Sequence, residues 1–183
     1  MKKLMLPFFL LSMSLFIAAC SGDKDSTEKK ESDTETTEET AKSDEMDMKT
    51  ALLDYQMEII NTVNANDSAI YAFETAKAKE EDKPSAEEIA KLKTDAEAAA
   101  KTVAVDVRAL KVPAELDSKK DEIQGALDDL ATSYETRASN LSDEVNAEYT
   151  ESDKQFASFE EKMAAVYEES GLSKPSFSAD IVD

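Results

Sequence analysis

Residues 114–170, AELDSKKDEIQGALDDLATSYETRASNLSDEVNAEYTESDKQFASFEEKMAAVYEES, decide the fold. They contain no Pro and a single Gly, Gly125. Ile123, Leu127, Leu130, Tyr134, Ala138, Leu141, Val145, Tyr149, Phe156, Phe159, Met163 and Val166 recur at mostly helical spacing and form one apolar stripe. At 1.5 Å per residue, an unbroken helix of this length would run about 85 Å. Either it is continuous, or it breaks near Ser139–Asp153, where Asn140, Ser142, Asn146, Thr150 and Ser152 weaken helical propensity. A bend or break is the favoured reading, because the second half needs a surface to pack against.

Working outward, Lys111-Val112-Pro113 closes the preceding helix. That helix carries Ile89, Leu92, Ala96, Ala99, Val103, Val107 and Leu110 on one face, and Ser85-Ala86-Glu87-Glu88 opens it as a capping box. Upstream, Leu53, Met57, Ile60, Val63, Ile70 and Phe73 make another stripe. Asn64, Asn66, Asp67 and Ser68 resemble a turn, yet the stripe keeps its register through them. One helix over 46–81 is therefore expected, ending at Glu80-Glu81-Asp82-Lys83-Pro84. Downstream, Gly171 suits a helix C′ position, Pro175 ends regular structure and residues 173–183 read as a tail. Together these stripes predict an all-α fold: an antiparallel bundle of three long helices over 46–172, the third bent or broken into two.

Composition narrows the chemistry. The chain of 183 residues carries 21 basic and 41 acidic side chains, a formal charge of -20, with no His, no Trp and one Cys. Without His there is no imidazole base, His-ligated metal or Glu-x-x-His di-iron site. One Cys forms no internal disulfide or thiolate cluster. The net charge repels phosphate backbones and excludes nucleic acid as a partner. With 3 Gly and 4 Pro there is little material for phosphate-cradling loops.

At the N-terminus, Met1-Lys2-Lys3 is a short basic region followed by an apolar run from Leu4 to Ile17, too short for a membrane span. The run ends in Ile17-Ala18-Ala19-Cys20. This resembles the lipobox of bacterial lipoproteins, with Ile17, Ala18 and Ala19 preceding the acylated residue. The resemblance implies a signal peptide over 1–19, a diacylglyceryl group on Cys20, cleavage before it and attachment to the outer face of the cell membrane. Cleavage would remove Lys2 and Lys3 and take the charge from -20 to -22. Residues 21–45 hold 10 acidic, 4 basic and 9 Ser or Thr residues. Nothing there can offset the entropy of ordering, so 20–45 is expected to be a lipidated, disordered acidic tether. The competing reading has residues 38–45 extending the first helix.

Carboxylates are too abundant for any pair to be diagnostic. Asp121-Glu122, Asp128-Asp129, Glu144 with Glu148 and Glu160-Glu161 read as solvated faces, and no run matches an EF-hand. Ser118-Lys119-Lys120 reads as a helix start rather than an activated nucleophile. No catalytic residue, metal ligand or cofactor is expected, and the chain is not expected to be an enzyme. Phe156, Phe159 and Met163 are expected in the core. Were the last helix to overhang the bundle, they would form a partner-binding stripe.

The stretch Tyr149-Thr150, Phe156, Phe159-Glu160-Glu161-Lys162 and Tyr167-Glu168-Glu169-Ser170-Gly171-Leu172 is similar to the C-terminus of cell-wall-binding helical lipoproteins of Gram-positive bacteria. That similarity implies a location near the wall and no residue-level site. The excess of Lys over Arg, 19 to 2, suits an AT-rich genome and points the same way. The expected role is a non-enzymatic interaction module of the cell envelope, with an envelope protein or wall polymer as partner. The alternative is a small-molecule or cation-binding lipoprotein.

Overall fold

The computed structural model describes residues 35–181, with side chains from residue 44 onward, and every regular element among them is helical. The signal segment, Ile17-Ala18-Ala19-Cys20 and the spacer up to residue 34 lie outside the described residues. Five helices of more than two turns follow in order: α1 (Glu35–Asn64), α2 (Ser68–Ala78), α3 (Ala86–Ala109), α4 (Lys120–Asn140) and α5 (Thr150–Glu169). A 3-10 turn, Ala114–Lys119, leads into α4, and a single-turn helix, α6 (Phe177–Asp180), follows α5.

The expected break in the third stripe is real: α4 and α5 are separate helices joined by residues 141–149. They run antiparallel, as pairings along their length show. Lys119 pairs with Glu169, Lys162 with Asp129 at 2.6 Å and Arg137 with Asp153 at 3.0 Å. Helix α3 is antiparallel to α4 through Arg108 on Glu135 and Lys93 on Asp143. Helix α1 closes a four-helix bundle, with the buried Tyr167 hydroxyl donating to the Leu52 carbonyl at 2.7 Å. One core draws Leu52, Tyr55, Ile59 and Val63 from α1, Val103 and Val107 from α3, Ile123, Leu127 and Leu130 from α4, and Phe159, Met163 and Val166 from α5.

Four expectations need correction. Helix α1 begins at Glu35, inside the stretch read as tether. The helix expected over 46–81 is interrupted by a turn at 65–67. There the Asn66 amide donates to the Thr62 carbonyl at 3.3 Å and to Asp106 of α3 at 3.0 Å. Asparagine competes with the helical ladder in this way, and the tie to α3 stabilises the interruption. The stripe on α1 holds in its second half, where Ile60 and Val63 are buried, but not at Leu53 and Met57, which are 49% and 54% exposed. Leu52, Tyr55 and Ile59 face the core there instead. Finally, the presumed tail is docked: Phe177 and Ile181 are buried in the main core. The Phe177 ring lies 4.6 Å from that of Phe159, and Asn64 donates to the Asp180 carbonyl at 3.1 Å.

Two local signals hold, the start of α3 and the end of α5. The Ser85 hydroxyl accepts from the Glu88 N–H at 3.2 Å while Glu88 accepts from the Ser85 N–H at 2.7 Å. The Ser85 backbone donor, then its hydroxyl, hold the Glu88 carboxyl below its ordinary range. Replacing Ser85 with Ala is expected to cost about 1 kcal/mol. An unchanged urea midpoint would contradict it. At the end of α5, Gly171 takes φ 70°. The Leu172 N–H returns to the Tyr167 carbonyl at 2.9 Å and the Gly171 N–H to Glu168 at 3.0 Å, a Schellman cap.

Candidate functional site

An open cleft of about 990 Å³ lies among α2, α4, α5, α6 and the 141–149 loop. Its wall is built around one cation. Lys77 follows Phe73 by one helical turn on the inward face of α2, and its side chain is only 3% exposed. Its ammonium reaches Glu74 at 2.7 Å, the Tyr149 hydroxyl at 3.0 Å and the Ser142 carbonyl at 3.2 Å. Those three acceptors match its three N–H donors. The Tyr149 hydroxyl in turn donates to Glu74 at 2.9 Å. Burial alone would depress the Lys77 pKa, but hydrogen bonds to Glu74 and Tyr149, and the charge on Glu74, outweigh it and hold the pKa above its ordinary value. This network ties the 141–149 loop to α2.

Arg137 builds the opposite wall. Its guanidinium stacks on Tyr149, 4.1 Å from the ring centre, donates to the Ser152 hydroxyl at 3.2 Å and pairs with Asp153 at 3.0 Å. Tyr149 is thus held at its hydroxyl by Lys77 and on its face by Arg137. The cleft is further lined by Tyr71, Tyr134, Phe156 and Ile70, with Ser178 and Ile181 of the C-terminal segment closing one side.

Of the three residues considered for a partner stripe, Phe159 and Met163 are wholly buried and present no exposed surface. Phe156 is half-buried and lines the cleft. Helix α5 does not overhang, because α4 and α1 cover its apolar face. Most of the carboxylate pairs lie exposed; Asp129 instead pairs with Lys162, and Glu160 accepts from the Ser178 N–H at 2.9 Å. Among the described residues, no group of three or more His, Cys, Asp or Glu side chains is placed to hold a metal ion.

Sequence reading missed Lys77, Glu74 and Arg137. A signal was present: the chain has only two arginines among its many lysines, Arg108 and Arg137. Both occupy sites that use the planar fork, Arg108 with two nitrogens on Glu135 and Arg137 stacked on Tyr149. Compared with family models, with curated proteins and with solved structures, the chain finds no match.

Proposed function

We propose that the chain is a lipid-anchored, extracytoplasmic lipoprotein that carries a non-enzymatic helical interaction module at the envelope of a Gram-positive cell. One observation carries the reading: the only cysteine closes Ile17-Ala18-Ala19-Cys20 behind a basic start and a short apolar run. Two acyl chains on Cys20 provide stable anchoring where one is marginal. Between Cys20 and the start of α1 at Glu35 lies a polar stretch with five acidic and three basic side chains.

The test is metabolic labelling with a fatty-acid analogue. The parent chain is expected to take up label, and Cys20→Ala to lose it and accumulate as an uncleaved precursor. Equal labelling of the two would overturn the lipoprotein reading.

A second reading, small-molecule capture, is favoured by the cleft, whose volume falls within the range of ligand pockets and whose polar groups converge on Tyr149. A thermal-shift screen separates the two. Saturable stabilisation by one compound supports capture, since a ligand of the native state raises apparent stability.

A further inference from the structure

We propose that the cleft around Tyr149 takes a small organic cation, an amine or quaternary ammonium on a short apolar stem. The inference deepens the capture reading above and rests on it. Four carboxylates, Asp67, Glu74, Glu148 and Asp153, line the cleft against one guanidinium, that of Arg137. Arg137 is engaged by Asp153 at 3.0 Å, and its face lies on Tyr149. Lys77, behind the wall, has its three donors on Glu74, Tyr149 and Ser142. Both cations already carry a carboxylate partner, and an anion would also enter against the field of a chain of charge -20.

The apolar part of the lining is aromatic as well as aliphatic. Tyr71 is 52% exposed, and Tyr134 and Phe156 are half-buried beside it in the lining. Aromatic faces attract cations that shed water easily, which favours an alkylated ammonium over a strongly hydrated metal ion. The cleft already shows this chemistry, because the guanidinium of Arg137 sits 4.1 Å from the centre of the Tyr149 ring. Glu148, exposed at the rim, supplies the charge, and Tyr71 supplies an accessible ring.

The test is isothermal titration of the full chain at about 150 mM salt, where the Debye length is about 8 Å and diffuse attraction is screened. Three probes of similar shape are compared: choline, its neutral carbon isostere 3,3-dimethylbutanol, and the anion 3,3-dimethylbutyrate. Choline is expected to saturate one site at least ten-fold more tightly than either of the others. Tyr71→Ala and Glu148→Gln change exposed side chains and leave the core intact, and each should weaken choline several-fold. Asp121→Asn, at the far end of α4, should leave it unchanged. Preference for the anion or the neutral isostere would overturn the cation assignment while keeping capture. Choline binding indifferent to Tyr71→Ala and Glu148→Gln would overturn the site. Saturation by none of the three, in a chain that a thermal-shift screen shows to bind some other compound, would overturn the ligand class alone. No binder in either assay would remove both readings.

Discussion

Truncating Phe159 to alanine is expected to cost about 3–5 kcal/mol, the usual penalty for emptying a large aromatic site in a core. That is a large part of the total stability of a single domain, about 5–15 kcal/mol. Phe159 has no exposed surface, and its ring meets Phe156 edge-on at 5.7 Å and Phe177 at 4.6 Å. Its loss therefore loosens the seat of the C-terminal segment as well as the α5 face. Phe156→Ala should cost about 1–2 kcal/mol, because that side chain is half-buried and already borders the cleft. Urea unfolding of both variants is the measurement. Equal costs would show that the Phe177 contact contributes little.

The second large effect concerns the buried ammonium. Glu74→Ala is expected to cost about 3 kcal/mol, since it leaves Lys77 charged and enclosed without its counter-ion. The Glu74 side chain is itself 31% exposed, which places the cost at the low end of the range for breaking a buried pair. Lys77→Met should cost much less, because Glu74 can then turn to water and Met fills the volume beside Phe73. The double variant should recover most of the loss. The pH dependence follows from the raised pKa of Lys77. A basic group whose folded pKa lies above its unfolded value stabilises fully below about pH 10.4. That contribution is lost as pH climbs through the folded value. The parent chain should therefore lose stability above that pH more steeply than the double variant, as guanidinium unfolding across pH 9–12 would show. Parallel profiles would mean that the Lys77 charge contributes nothing.

Both effects arise where residues far apart in sequence meet, and there the sequence was least legible. Lys77 contacts Ser142 and Tyr149 across more than 60 positions, and nothing near residue 77 signals that its ammonium is enclosed. The pair with Glu74 is visible as an i,i+3 spacing, but the same spacing occurs on exposed helical surfaces throughout this charged chain. The cleft depends on the 141–149 loop and on α6, and the last eleven residues carry too few apolar side chains to announce that they dock. A short Phe-x-x-x-Ile segment becomes stable only when the hole beside Phe159 exists to receive it.

By itself, the sequence determined what depends on neighbours within a few positions. The helical class follows from apolar periodicity and scarce Gly and Pro. The start of α3 follows from the Ser85–Glu88 box, the end of α5 from Gly171, and the break after Asn140 from a run of residues that favour turns. The tertiary structure alone decided which face of α1 turns inward. Leu52 and Leu53 offer two inward positions one residue apart, and only the placement of the neighbouring helices chooses Leu52. It also decided that the helix expected over 46–81 is interrupted, because Asn66 finds Asp106 on α3. Local propensity is a sum of small terms along the chain. Burial and the enclosure of a charge are properties of the space between helices, which exists only once the bundle has closed.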